Sequence, residues 1–268
     1  KHLSVDGMER LKAFGKYVLR GERSEGARYL MTHSFQKMQL EILDNCDVFL
    51  PNAKTEMDQI AAHLGFRTDN YVVVPNAVDV ASIKAAKEVD STGYERFSGW
   101  IVCIGRIDIR KNQLNLIKAV EGSDYKVVFV GKKSPGHIEY ANKVVSEIEA
   151  NPNMEWIEQI PNEDIYKLCR ECRVSVLPSW FETPGLVSLE AAAMGCNIVV
   201  SPKGTTRDYF GDSAFYCDVS SPSSIRAALD EAYGVNYDEV FGRKVITEYT
   251  WEKATEKTLD GYQLALKG

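Results

Sequence analysis

From residue 100 onward the chain alternates short, unbroken apolar runs with stretches of helical periodicity, and few architectures tolerate that pattern. WIVCI (100–104), YKVVFV (125–130), MEWI (154–157), VSVLP (174–178), NIVV (197–200) and AFYC (214–217) read as strands. Between them fall helices over NQLNLIKAV (112–120), residues 139–149, residues 163–170 with Asn162 as cap, and the stretch from Thr183 to Met194. Ser221-Pro222 opens a further helix to Tyr233. A strand with one wet face alternates apolar and polar residues, whereas a strand covered by helices on both faces reads as a continuous apolar run. These runs are of the second kind. The pattern predicts an α/β fold, a doubly wound parallel sheet, with ligands expected beyond the C-terminal ends of the strands.

The preceding residues follow another rule. Residues 8–20 and 27–45 read as helices, CDVFLP (46–51) as a strand, TEMDQIAAHLG as a helix ending at Gly65, and VVVPN (72–76) as a strand. One or two strands with several helices do not complete a domain. Residues 1–76 are therefore expected to be the tail of a truncated domain, residues 77–98 a linker with one short helix, and residues 99–268 the sheet domain. The chain opens on Lys1, not Met, which fits a piece of a longer protein.

Composition excludes some partners. With 44% apolar and 26% charged residues the 268-residue chain is of ordinary globular make-up, and its net charge of -6 speaks against nucleic acid as a partner. No apolar run approaches the roughly 18–20 residues of a membrane span. Residues 1–40 carry a local excess of Lys and Arg. They form either a solvated helix face or a surface for peripheral contact with an anionic membrane. Six scattered cysteines do not form a secreted disulfide framework, which suggests a reducing, cytoplasmic setting, at the inner face of the membrane if the basic segment binds lipid. Cys169 and Cys172 match C-x-x-C but end a helical stretch where a redox pair would begin one, so they read as structural thiols sooner than redox or zinc ligands.

Two stretches carry candidate chemistry. GRIDIRKN (105–112) follows the first strand of the sheet, placing Arg106 and Lys111, with Arg110 as a further candidate, in a loop where ligands bind. Both side-chain types suit phosphate. ETPGLVSLE (182–190) follows VSVLP, again at a strand's C-terminal end. Thr183 is expected to cap the helix and Pro184 to stand at its first position. Gly185 and Leu186 would then present free N–H groups to an anion. If the stretch is helical, Glu182 and Glu190 stand about 12 Å apart, too far for a glycosidase pair. They would grip two ends of one long ligand, its hydroxyls donating to each carboxylate. Alternatively, Glu190 bonds internally and Glu182 is a surface loop residue. The chain has no G-x-G-x-x-G, no phosphate-loop G-x-x-x-x-G-K-[ST] and no Asp-x-Asp, and its four histidines lack metal spacing.

Taken together these residues resemble the C-terminal, donor-binding half of a GT-B glycosyltransferase of the retaining family 4 (glycosyl transferases group 1) type, over residues 45–265. VVVPNAVDV resembles the family's strand-and-linker signature, with Ala77 in place of the usual Gly. GRIDIRK matches its Arg-x4-Lys clamp, and VSVLPSWFETPGLVSLEAAAMGCNIVVS its strand, E-x7-E helix and next strand. SPKGTTRDYFGD and TWEKATEKTLDGY resemble the donor-closing loop and the C-terminal crossover helix. Thr183-Pro184 stands where Gly-Phe is common, so the surroundings of the sugar can differ.

The resemblance implies that the first 76 residues are a mostly helical remnant of the GT-B N-terminal domain. It also implies transfer of a sugar from a nucleoside diphosphate sugar to an acceptor hydroxyl, on a saccharide or lipid-linked acceptor, in polysaccharide or glycoconjugate synthesis. No cofactor and no metal are expected. Arg106 and Lys111 would neutralise the diphosphate, Glu182 would contact the sugar, and Glu190 the ribose. Backbone near Ile160 would read the base. Rivals are a nucleotide-sugar epimerase on the same fold and a non-catalytic nucleotide-sugar-binding module. A fragment lacking most of the first domain is expected to transfer weakly or not at all.

Overall fold

The computed structural model describes residues 34–267. Within them the chain divides into two compact units. The smaller holds the described residues up to Pro51, Glu56–Val72, and those from Thr258 on; the larger holds Asn52–Thr55 and Val73–Lys257.

In chain order the helices and strands are α1 (Phe35–Asp44), α2 (Lys54–Leu64), α3 (Val80–Glu88), β1 (Ile101–Ile104), α4 (Gln113–Val120), β2 (Val127–Val130), α5 (Ile138–Glu149) and β3 (Met154–Ile157). They continue as α6 (Asn162–Glu171), β4 (Val174–Leu177), α7 (Leu186–Met194), β5 (Asn197–Val200), α8 (Thr206–Phe210), β6 (Phe215–Tyr216), α9 (Pro222–Gly234), α10 (Glu239–Glu248) and α11 (Trp251–Ala265). Helix α6 begins one residue before its expected start, after Pro161 and not after Asn162.

The six strands form one sheet in the order β3-β2-β1-β4-β5-β6, every pair parallel. This is the doubly wound order, with its switch point between β1 and β4. Strands β1, β2, β4 and β5 are buried along their whole length, which explains their unbroken apolar runs. Side chains still alternate between faces. Val102, Ile104, Val128, Val130, Ile198 and Val200 pack on one side of the sheet. Ile101, Cys103, Val127, Phe129, Val174 and Val176 pack on the other. Five cysteines are buried and free, while Cys46 is exposed. Cys196 Sγ donates to Cys169 O at 3.0 Å, and burial pushes the Cys172 thiol up, so the C-x-x-C pair serves as core packing.

Residues 77–98, expected as a linker with one short helix, carry α3 and belong to the larger unit. Asp79 caps α3 by accepting from Ser82 N–H, and Val78, Ile83, Ala86 and Phe97 are buried within the larger unit. In the smaller unit the expected strand at 46–51 reduces to a single bridge, Phe49 to Tyr71, and residues 72–76, most of which belong to the larger unit, form no strand. Pro51, two residues beyond Phe49, has no N–H to lengthen the ladder. The expected helix at 8–20, the first part of that at 27–45, and most of the basic segment lie outside the described residues.

Candidate functional site

The loop that leaves β1 is held from several sides. Asp108 accepts from Arg110 N–H at 2.8 Å, shaping a single 3-10 turn over Ile109–Lys111. Asn112 then takes a left-handed conformation, φ 59°. Its amide donates to Pro178 O at 3.1 Å and Val219 O at 2.8 Å, tying the loop to the end of β4 and to the chain beyond β6. Gln113 Nε2 donates to Arg106 O at 2.9 Å. Asp108 also faces His137 Nδ1 at 3.1 Å. Burial alone would raise the Asp108 carboxyl, but hydrogen bonds from Arg110 N–H, His137 and Ser134 outweigh it and hold the carboxyl below its ordinary range.

The loop after β4 is pinned against this one. Trp180 N–H donates to Arg110 O at 2.9 Å, and Arg110 Nη1 donates to Phe181 O at 2.9 Å. Glu182 forms a parallel bridge with Gly204 in the loop after β5, Thr205 N–H donating to Glu182 O at 3.0 Å. A Cβ on Gly204 would lie 1.9 Å from Glu182 O, and its φ of +97° is one that side chains rarely adopt, so the bridge requires glycine. The fixed backbone places the Glu182 carboxylate against two cations. Oε1 lies 2.6 Å from Lys111 Nζ and 3.1 Å from Arg110 Nη1. The Glu182 side chain is only 8% exposed, so it is a buried ion-paired group and not a surface loop residue.

The helix start differs from its expected form. The Thr183–Pro184 bond is cis, and Gly185, at φ 82°, is the residue before the first helical one, Leu186. Thr183 therefore does not cap α7, and Pro184 does not open it. A left-handed residue cannot be part of a right-handed helix, so the helix begins two residues beyond Pro184. Helical rise, on which the spacing of about 12 Å for Glu182 and Glu190 rests, therefore applies only from Leu186 on. The anion-site geometry survives the shift. Among the described residues the N–H groups of Gly185, Leu186 and Val187 meet no acceptor, and they stand at the positive end of the helix.

Glu190 sits on the second turn of α7 and accepts from Tyr166 Oη at 3.2 Å. Burial raises its carboxyl, the Tyr166 bond lowers it and the nearby Asp79 raises it, for a net upward shift. The internal-bond alternative thus describes Glu190 in this structure, although Tyr166 occupies one oxygen only. Arg106 is exposed and forms no ion pair among the described residues. Ile160 lies partly buried in the loop after β3. The structure therefore brings Arg110, Lys111 and Glu182 into direct contact, with Arg106 on the first of the two loops, Gly185 at the end of the second and Leu186 opening α7. Tyr166, Asn112 and Gly204 are additions the sequence did not flag. Asn112, directly after Lys111 and before a helical stretch, is the one whose position could have drawn notice, since Asn tolerates left-handed backbone. Among the described residues no group of His, Cys, Asp and Glu could hold a metal ion, and no helix is long and apolar enough to cross a membrane.

Comparison with known proteins agrees with the fold. The family model described as Glycosyl transferases group 1 matches residues 98–236. A D-inositol 3-phosphate glycosyltransferase of Paenarthrobacter aurescens is 24% identical over 264 residues, covering 92% of this chain and 63% of the relative. The chain thus spans less than two thirds of that relative's length. A glycosyltransferase structure from Rickettsia africae superposes with a TM-score of 0.74 at 14% identity, covering all of this chain and 84% of its own. A structure described as "Trehalose-6-phosphate from E. coli bound with UDP-2-fluoro glucose" superposes at 0.68 with 14% identity, covering 85% of this chain and 63% of its own. At such identities the two structures speak to fold.

Proposed function

The chain belongs to the glycosyl transferases group 1 family, and from that premise we propose that it carries the donor-binding half of a retaining glycosyltransferase. The reaction moves a sugar from a nucleoside diphosphate sugar to an acceptor hydroxyl. The observation that carries this reading is the meeting, at the switch point between β1 and β4, of a cationic loop with a helix N-terminus whose N–H groups are open.

In this reading the diphosphate lies against Arg106, Lys111 and the N–H groups of Gly185 and Leu186. Glu190 accepts from the ribose hydroxyls, Glu182 from the sugar hydroxyls, and backbone near Ile160 faces the base. The bond from the sugar's anomeric carbon to the diphosphate oxygen breaks, a bond from the acceptor oxygen forms, and the hydroxyl proton is released. Negative charge grows on the leaving diphosphate. Cations and N–H groups already fixed in place stabilise that charge without reorganising. They supply the positive charge for which a metal would otherwise be used, so the reading expects none. Glu182 positions the sugar; it does not attack it.

The acceptor is proposed to be a hydroxyl-bearing saccharide or a lipid-linked glycan, in polysaccharide or glycoconjugate synthesis. The inositol phosphate transferase supports a polyol-type acceptor. The UDP-sugar bound to the superposed E. coli structure supports UDP as one base to try first. Residues 1–76 are proposed as the end of the acceptor-side domain, and the protein as cytoplasmic, at the inner face of the membrane if the basic segment binds lipid.

Thermal unfolding of the chain with UDP, GDP, ADP, CMP and their sugars, with and without EDTA, tests the donor site. Ligand at about 100 times its Kd adds about 2.7 kcal/mol. The reading expects a rise with one diphosphate, insensitive to EDTA and lost in Glu190→Ala. A rise that EDTA abolishes overturns the metal-free clamp. A rise that survives in Glu190→Ala overturns the ribose assignment.

A further inference from the structure

We propose that Tyr166 is a positioning residue for Glu190, its hydroxyl fixing the carboxylate that receives the ribose of a nucleoside diphosphate. The inference rests on the reading of Glu190 given above and assigns a role to a residue outside both candidate motifs.

The two groups come from different helices. Tyr166 stands on α6 and Glu190 on α7, and these helices pack together beside α3. Tyr166 is 6% exposed, so its ring is fixed by the core, and only its hydroxyl reaches the carboxylate, at 3.2 Å. A carboxylate can accept about four hydrogen bonds. Glu190 accepts this one and no other among the described residues. One oxygen is thus held by the protein, and the rest of its acceptor capacity is open to the neighbouring loop, where the donor is proposed to lie.

The charged surroundings make this bond consequential. From α6 the carboxylate faces Tyr166, and from the cap of α3 it faces Asp79, a like charge. Strands β4 and β5 present no titratable side chain. Tyr237, preceding α10, is engaged with Ala192 O. Burial and Asp79 both favour the neutral acid, and the Tyr166 hydroxyl is the group that opposes them. Without it, protonation takes a lone pair from the ribose and frees the carboxyl to rotate.

Tyr166→Phe removes the hydroxyl and keeps the packed ring. In the intact chain, the Glu190 carboxyl followed by carbon-13 NMR should titrate at higher pH in Tyr166→Phe than in the parent. Calorimetric binding of UDP, GDP and ADP should weaken about two- to tenfold at neutral pH, the scale of one lost hydrogen bond. The acid limb of binding should also move to higher pH. A purely structural role would lower thermal stability and leave both titrations in place. An unchanged Glu190 titration in Tyr166→Phe overturns the proposal whether or not a nucleotide binds. If Glu190→Gln leaves diphosphate binding intact, the ribose reading fails. If Glu190→Gln abolishes binding while Tyr166→Phe leaves it unaltered, the ribose reading stands and the positioning role alone is lost.

Discussion

Lys111 and Glu182 meet across the switch point, Nζ to Oε1 at 2.6 Å, and Arg110 reaches the same oxygen at 3.1 Å. The partners come from the loops after β1 and β4, so the pair joins the two halves of the sheet's order. Breaking a buried pair leaves one charge without compensation, which is strongly destabilising. Here Arg110 remains to share the cost. Lys111→Met is expected to lower stability, by less than the roughly 3–5 kcal/mol of a buried pair left wholly uncompensated. Lys111→Met with Glu182→Gln should recover much of that loss. Urea melts of the two single variants and the double variant give the coupling energy, and strict additivity would show that the contact contributes nothing.

The same lysine should matter differently in catalysis. In a protein that also carries the acceptor half, Lys111→Ala is expected to lower kcat by about 10²–10³-fold, as for other groups that meet charge in the transition state. KM for the donor should change far less. Steady-state kinetics at a temperature where the variant is folded decides this; an unchanged kcat with a raised KM would assign Lys111 to ground-state binding.

Gly204 holds the backbone that holds Glu182. Gly204→Ala would put a Cβ 1.9 Å from Glu182 O at a φ of +97°. A loss of at least about 1 kcal/mol is expected from the backbone conformation alone. Diphosphate-induced stabilisation should fall with it. Gly136→Ala, with open space around its Cβ, is the control and should be neutral. Equal melting of the two variants would mean the bridge is dispensable.

Asn112 separates conformation from hydrogen bonding. Asn112→Gly keeps the left-handed turn but loses the bonds to Pro178 O and Val219 O. A cost of about 1–3 kcal/mol is expected. Asn112→Ala should cost about 1 kcal/mol more, because alanine disfavours that backbone region. Denaturant midpoints should therefore fall in the order parent, glycine, alanine.

Glu190 is expected to weaken the free chain at neutral pH. Its folded carboxyl titrates above its ordinary value, chiefly through burial. A group raised in this way favours the fold below its unfolded pKa and gives up that contribution as pH rises through the folded value. Glu190→Gln should therefore melt higher than the parent at neutral pH, and the difference should shrink on acidification. Nucleotide should stabilise the parent and leave the variant unmoved. A Glu190→Gln variant that melts lower at neutral pH would contradict the assigned environment.

The sheet was legible in the sequence because burial on both faces leaves a one-dimensional trace, the unbroken runs of WIVCI, VSVLP and NIVV. Lys111 and Glu182 were legible as candidates because strand ends are where such folds bind ligands. Their mutual contact was not, since it depends on how two loops 71 residues apart are tied by backbone bonds. The start of α7 was misread because Thr-Pro satisfies local capping rules, while the left-handed Gly185 sets the boundary. Tyr166 was hidden for a related reason: on α6 it is simply a helical aromatic, and only the packing of α6 on α7 brings its hydroxyl to Glu190. The strand expected at 46–51 had the right residues, but Pro51 has no N–H with which to lengthen the Phe49–Tyr71 bridge.

The isolated bridges Ile107–Lys133 and Glu182–Gly204 carry the sheet's pairing past the ends of its strands and into the loops themselves. Loops of this kind cannot be exchanged one at a time. A chimera that imports residues 178–186 from a relative with another sugar preference must import the partner segment 201–205 as well, and 105–112 must travel with 131–137. Substrate range in such a scaffold would then diversify in matched blocks, and single-loop transplants would yield folded proteins with misplaced carboxylates.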